Sequence, residues 1–91
     1  MMSKNALVTG ASSGIGAEFA RLLAAEGYGL ILVARRADRL QQLATELSNR
    51  HGVRCEVLAM DLREPDAVAR ILSALSDLQL SVDVLINNAG I

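Results

Sequence analysis

Residues 9–16 of the chain are Thr-Gly-Ala-Ser-Ser-Gly-Ile-Gly, and this glycine-rich stretch decides how the rest of the sequence is interpreted. It follows the apolar run Ala6-Leu7-Val8, and it leads into apolar residues at helical spacing, namely Ile15, Phe19, Leu22 and Leu23. The stretch therefore predicts a turn between a strand and a helix. At such a turn, free N–H groups and the positive end of the helix dipole attract anions, and glycines let a pyrophosphate approach the main chain.

The spacing of Gly10, Gly14 and Gly16 is G-x-x-x-G-x-G, which differs from the G-x-G-x-x-G of the common dinucleotide fingerprint. Ser12 and Ser13 add hydroxyl donors to the same turn. A purely structural turn of small residues is the alternative interpretation. The position directly after a strand favours nucleotide binding, because that is where a helix N-terminus meets the carboxyl edge of a sheet.

Apolar runs and helical segments alternate along the rest of the chain. The runs at 30–34, 55–60 and 82–86 predict three further strands. Apolar residues at helical spacing predict two further helices, one from Leu40, Leu43 and Leu47 and one from Val68, Ile71, Leu72, Leu75 and Leu78. Gly27 and Gly52 are expected to end the first two helices, and Pro65 is expected at the first position of the third. Because the strands are continuous apolar runs, we expect a parallel sheet covered by helices.

The predicted fold class is α/β, a partial doubly wound (Rossmann-type) parallel sheet with strand order 3-2-1-4 and helices on both faces. Right-handed crossovers put the first two helices on one face and the third on the other. The usual form of this sheet has six strands. We therefore expect residues 1–91 to be the N-terminal part of a single dinucleotide-binding domain whose catalytic portion is absent from this sequence.

Composition excludes several classes of protein. Hydrophobic residues make up 52% and charged residues 21% of the chain, which indicates an ordered globular unit, and a net charge of -1 with two aromatic residues argues against nucleic-acid binding. The longest apolar run, 30–34, is far shorter than the ~18–20 residues that span a bilayer, so we expect no membrane association and a cytoplasmic protein. Cys55 is the single cysteine, and we expect neither an internal disulfide nor a metal site.

Two arginines stand where the second predicted strand ends. An acidic residue at this point accepts hydrogen bonds from the ribose 2′-hydroxyl of NAD, whereas this sequence has Arg35 and Arg36. The planar donor fork of arginine matches a phosphate, so the pair predicts NADP. The alternative is a solvated positive pair. Together with Arg39, Arg35 and Arg36 place positive charge near the N-terminus of a predicted helix, where it opposes the helix dipole. A bound phosphate would remove this unfavourable interaction.

The stretch at 9–16 resembles the signature of the short-chain dehydrogenase/reductase family, whose glycine turn has this longer spacing. Two further segments agree with that family, Asp61-Leu62 after the third predicted strand and Asn87-Asn88-Ala89-Gly90 after the fourth. The resemblance implies an oxidoreductase that transfers hydride between a nicotinamide cofactor and a small-molecule carbonyl or alcohol substrate, and the arginine pair predicts that this cofactor is NADP(H).

The resemblance also implies roles for individual residues. Asp61 would accept a hydrogen bond from the adenine amino group beside the Leu62 main chain, and 87–90 would steady the sheet centre and pass close to the cofactor. The alternatives are a turn aspartate that caps backbone N–H groups ahead of Pro65, and a plain turn at 87–90. The predicted cofactor-binding residues are Gly10, Ser12, Ser13, Gly14, Ile15, Gly16, Arg35, Arg36, Asp61, Leu62, Asn87, Asn88, Ala89 and Gly90.

Catalysis in the resembled family relies on a Ser, a Tyr and a Lys three residues after that Tyr. The single tyrosine, Tyr28, and the single lysine, Lys4, precede the second and first predicted strands, at the end away from the glycine turn. We therefore predict no catalytic residue in this sequence, and a non-catalytic dinucleotide-binding or pairing fragment is the alternative function. Because strand 4 would be an exposed apolar edge, we also expect self-association into a homo-oligomer.

Overall fold

The computed structural model describes residues 4–12 and 14–88, which form four strands and three helices. In chain order these are β1 (Asn5–Thr9), α1 (Gly14–Ala25), β2 (Gly29–Ala34), α2 (Ala37–His51), β3 (Cys55–Ala59), α3 (Ala67–Asp77) and β4 (Val84–Ile86). The strands pair in parallel in the order β3-β2-β1-β4. The predicted α/β class and strand order are confirmed.

Different helices cover the two faces of the sheet. Ala6 and Val8 of β1 are buried in a core with residues of α1 and α2. Leu7, which lies between them and points to the opposite face, packs in a second, smaller core with Leu75 of α3. The central strands are therefore buried on both sides, which explains why they are continuous apolar runs.

Helix α1 packs on the sheet through its small residues. Its buried positions are Gly16, Ala17, Ala20 and Ala24, and Leu23 is partly buried against them. Three of the four large apolar residues that mark the helix in the sequence are exposed, Ile15 and Leu22 by about two thirds and Phe19 by 39%. The spacing predicts the helix correctly, but the apolar stripe is not the face that contacts this sheet.

The two glycine stops are as predicted, whereas the start of α3 is not. Gly27 and Gly52 have positive φ and end α1 and α2, and the Gly52 N–H donates to Ser48 O at 2.9 Å. Helix α3 begins at Ala67, so the prediction that Pro65 is its first residue is wrong. The chain first makes two hydrogen-bonded turns, from Glu64 N–H to Asp61 O at 3.0 Å and from Ala67 N–H to Glu64 O at 3.1 Å.

None of the helices formed by residues 4–12 and 14–88 is long and apolar enough to cross a membrane.

Candidate functional site

A cleft of about 970 Å³ begins at the carboxyl ends of the strands and continues along the α3 face of the sheet, where Leu7, Leu75 and Leu85 line it. Each of the four strand ends contributes to its lining. Eight of the predicted residues lie there together, namely Gly10, Ser12, Arg35, Arg36, Asp61, Leu62, Asn87 and Asn88. Gly14, Ile15 and Gly16 form the first turn of α1 and do not line the cleft. Ser13, Ala89 and Gly90 lie outside the described residues.

The three glycines of the turn are required for different reasons. Gly10 and Gly14 have φ of +64° and +59°, a conformation that residues with a Cβ rarely adopt. A Cβ at Gly10 would lie 3.2 Å from the Asn88 Nδ2 and O atoms, whereas one at Gly14 would meet nothing within 4 Å. A Cβ at Gly16 would overlap the carbonyl oxygen of Gly10. Gly16 thus lets α1 pack against the turn, and Gly14 leaves open space beside the helix N-terminus.

Thr9, which the sequence analysis did not single out as a site residue, joins the turn to the end of β4. Its buried hydroxyl oxygen accepts the N–H of Asn88 at 2.8 Å and lies within donating distance of Asn87 Oδ1 at 3.1 Å. These contacts connect the last residue of β1 with the segment that follows β4, 79 residues later. The signal available in the sequence is a hydroxyl residue directly before the first glycine.

Arg35 and Arg36 follow β2 at the cleft and differ in their partners. Arg36 lies 3.6 Å from Asp38, measured from Nε to Oδ1, and it precedes α2 with extended backbone and no side-chain cap. The ion pairs formed within the described part of the chain leave Arg35 without a carboxylate partner. Of these two arginines, Arg35 is the one whose guanidinium is not paired with a carboxylate of the described chain.

Asp61 follows β3 and is held by Arg63, a second residue that the sequence analysis did not identify. Its Oδ1 accepts the backbone N–H of Arg63 at 2.9 Å, so the predicted capping of a backbone N–H group is observed. Hydrogen bonds from the Arg63 side chain, and next from its backbone N–H, lower the pKa of Asp61 from 3.8 to about 2. The carboxyl group is thus ionised at neutral pH.

Tyr28 and Lys4 lie where the sequence predicts, at the amino ends of β2 and β1. Lys4 directly precedes β1, and its carbonyl accepts the N–H of Gly29, the first residue of β2, at 2.9 Å. Neither residue lines the cleft, which opens at the opposite ends of these strands. Among the described residues, the cleft lining therefore contains no tyrosine or lysine that could act as a proton donor.

Comparison with known proteins agrees with this geometry. The model of the short chain dehydrogenase family matches residues 4–91. Serine 3-dehydrogenase of Agrobacterium fabrum is 43% identical over 91 residues, a match that covers 99% of this chain and 34% of that protein. Very-long-chain 3-oxoacyl-CoA reductase of Phaeosphaeria nodorum is 47% identical over 89 residues, covering 94% of this chain and 26% of that protein. The chain thus spans about a third or less of the length of these relatives.

Solved structures resemble the chain over nearly its whole length. L-sorbose reductase from Gluconobacter frateurii, complexed with NADPH and L-sorbose, superposes with a TM-score of 0.92 at 39% identity, covering 98% of this chain and 34% of that one. The alcohol dehydrogenase from Thermococcus sibiricus complexed with 5-hydroxy-NADP gives 0.87 at 38% identity, covering 92% and 36%. The family resemblance that the sequence indicates is confirmed.

Proposed function

The chain belongs to the short-chain dehydrogenase family, and we propose that it is the cofactor-binding portion of an NADP-dependent oxidoreductase. The reaction is hydride transfer between NADP(H) and a small-molecule carbonyl or alcohol, whose binding site and catalytic residues belong to a longer protein. The observation that carries the proposal is Arg35, which lines the cleft at the end of β2 without a carboxylate partner among the described residues.

The cleft and the adjoining N-terminus of α1 together suit the separate parts of the cofactor. The space left open at Gly14, beside the α1 N-terminus, suits a pyrophosphate. Arg35 presents a donor fork to a ribose 2′-phosphate, and Arg36 stands next to it. Asp61 supplies an ionised acceptor for the adenine amino group. When bound, NADPH supplies the hydride, and the residues of this chain bind and orient the cofactor.

Two relatives in solved structures support the choice of NADP over NAD. The sorbose reductase is complexed with NADPH, and so is the short-chain dehydrogenase from Sphingobium yanoikuyae, which has a TM-score of 0.79 at 42% identity and covers 97% of this chain and 34% of that one. The end of β2 supplies the physical reason. A phosphate on the ribose is attracted by Arg35, which stands directly after β2 where a carboxylate would accept a 2′-hydroxyl, and the one carboxylate among the described lining residues, Asp61, is paired with Arg63.

Titration of the protein with NADPH and NADH by calorimetry tests the proposal. A hydrogen bond to a charged group contributes about 1.5–3 kcal/mol, so we expect NADPH to bind ~10- to 100-fold more tightly. Arg35→Asp should reverse the preference, because a carboxylate repels the phosphate and accepts the hydroxyl. Arg70→Asp, the same charge change on an exposed residue of α3 outside the cleft, is the matched control. Equal affinity for both cofactors, or a ratio that Arg35→Asp leaves unchanged, contradicts the proposal.

A second candidate function is a non-catalytic dinucleotide-binding fragment, which the positions of Tyr28 and Lys4 favour. Both residues lie at the end of the sheet opposite the cleft, so neither reaches a substrate held beside the cofactor. The two candidates are distinguished by the coding sequence. Continuation past residue 91 into a segment containing Tyr-x-x-x-Lys supports the oxidoreductase, and a stop codon there supports the fragment.

A further inference from the structure

Arg63 forms the most complete ion pair in the described part of the chain. Its Nε lies 3.1 and 3.2 Å from the two carboxylate oxygens of Asp61, and its Nη2 donates to Oδ2 at 2.9 Å. The other arginines that pair with a carboxylate each contact one oxygen of a given partner. Asp61 and Arg63 are also the one described pair in which both residues line the cleft. A fork of this kind fixes the position of the carboxylate as well as its charge.

The pair lies within the electrostatic field of Arg35. Arg63 lowers the pKa of Asp61 most and the positive charge of Arg35 lowers it further, so Asp61 and Arg35, which both line the cleft, attract each other. The lining contains three guanidinium groups and one carboxylate, those of Arg35, Arg36, Arg63 and Asp61. Without a paired cation, the negative charge of Asp61 would attract the guanidinium of Arg35 and would repel a phosphate bound beside that arginine. Arg63 is the group that compensates it.

We propose that Arg63 is a positioning and specificity-determining residue, which neutralises Asp61 so that Arg35 is available to the phosphate on the adenosine ribose. The inference rests on the proposed function, because it assumes that Asp61 and Arg35 face one adenosine. It resolves a conflict in that site: the adenine amino group requires an acceptor, whereas the nearby phosphate requires positive charge. Arg63 lets one cleft provide both.

The test compares two ligands that differ in a single phosphate, adenosine 2′,5′-bisphosphate and adenosine 5′-monophosphate, in calorimetric titrations of the 91-residue chain. With Arg63→Gln, we expect affinity for the bisphosphate to fall about tenfold and affinity for the monophosphate to change by less than about twofold. The difference should shrink at high salt, since exposed charges are screened. A merely structural role predicts an equal loss for both ligands.

The chain offers a matched control in Arg54, which pairs with Glu56 two residues away just as Arg63 pairs with Asp61. The Arg54 Nε donates to Glu56 Oε2 at 2.8 Å at the start of β3, and neither residue lines this cleft. Arg54→Gln removes the same charge and should leave the ratio of the two affinities unchanged. Arg63→Lys retains the charge without the fork and should keep most of the discrimination.

A double variant isolates the mechanism. In Asp61→Asn with Arg63→Gln there is no carboxylate to compensate, so we expect preference for the bisphosphate to return towards the wild-type value. Equal loss for both ligands in Arg63→Gln, no loss for either, or a double variant no better than the single one overturns the role of Arg63. If the wild-type chain binds both ligands equally or neither, the proposed NADP preference fails, and this inference fails with it.

Discussion

Gly14 and Gly16 stand two residues apart in one turn yet exclude side chains for different reasons. Gly16 is constrained by the protein itself, because a Cβ there would overlap the Gly10 carbonyl. Gly14 faces open space and is constrained by its φ of +59° and, in our proposal, by the pyrophosphate. Substitution should therefore separate folding from binding at these two positions.

We expect Gly14→Val to abolish dinucleotide binding while the sheet remains folded, because a branched Cβ is strained at positive φ and occupies the space of the phosphate. Gly16→Ala should instead lower the free energy of unfolding by about 1–3 kcal/mol through overpacking. Urea denaturation and calorimetric titration of both variants check this. Full NADPH affinity in folded Gly14→Val would show that the turn serves structure alone.

The carboxyl group of Asp61 should titrate far below an ordinary aspartate. Its pKa is about 2 in the folded chain and 3.8 without the surrounding structure, so its contribution to stability is complete above about pH 5 and is lost as the pH falls through 3.8 towards 2. In Arg63→Gln we expect the pKa to rise towards 3.8. Carbon-13 NMR of the side-chain carboxyl against pH measures both values. A wild-type midpoint near 3.8 would contradict the hydrogen-bonded fork.

At the scale of elements, Thr9 is the contact that holds the end of β1 to the end of β4. Thr9→Val keeps the shape of the side chain but removes the acceptor of the half-buried N–H of Asn88, which costs about 1 kcal/mol. We expect that loss in the free energy of urea unfolding. Thr45→Val, at an exposed position of α2, is the matched control and should change stability by less than about 0.5 kcal/mol.

The sequence predicts the elements better than their contacts. Gly27 and Gly52 stop two helices through local conformation, so these ends follow from residue type alone. The start of α3 depends on hydrogen bonds within 61–67, which the spacing of apolar residues does not reveal. The prediction based on Pro65 therefore puts the start of the helix at the wrong residue. The same holds at the cleft. Gly10 and Arg35 are recognisable by type and position, whereas Arg63 becomes visible only when its fork on Asp61 is seen.

At the scale of the whole molecule, two apolar surfaces remain exposed in the described structure. One is on α1, at Ile15, Phe19 and Leu22, and the other is on the α3 side of the sheet, at Val68, Leu72, Val82 and Leu85. Exposed apolar area of this kind drives association at ~25 cal/mol per Å². Strand β4 adds unpaired backbone groups beside the second surface, since β1 is its single described neighbour.

We therefore expect the 91-residue chain to self-associate at micromolar concentration and to unfold at low temperature for a domain of its size. Sedimentation velocity should show oligomers, and Leu85→Lys should shift them towards monomer by placing a charge in the apolar surface. Ser73→Lys, on an exposed position of α3, adds the same charge as a control. A sharp monomer with cooperative unfolding at high temperature would mean that these four strands form a complete unit.

The hydrogen bond between Thr9 and Asn88 also limits when the glycine turn can complete its contacts during synthesis of the chain. Thr9 and the glycine turn are translated early, whereas Asn88, which follows β4, is translated 79 residues after Thr9. At about 5–20 residues per second, the ribosome needs roughly 4 to 16 s to cover that interval. Throughout that interval the Thr9 hydroxyl lacks the Asn88 N–H that it accepts in the folded chain, so the contact between the glycine turn and the end of β4 forms only after residue 88 has been added.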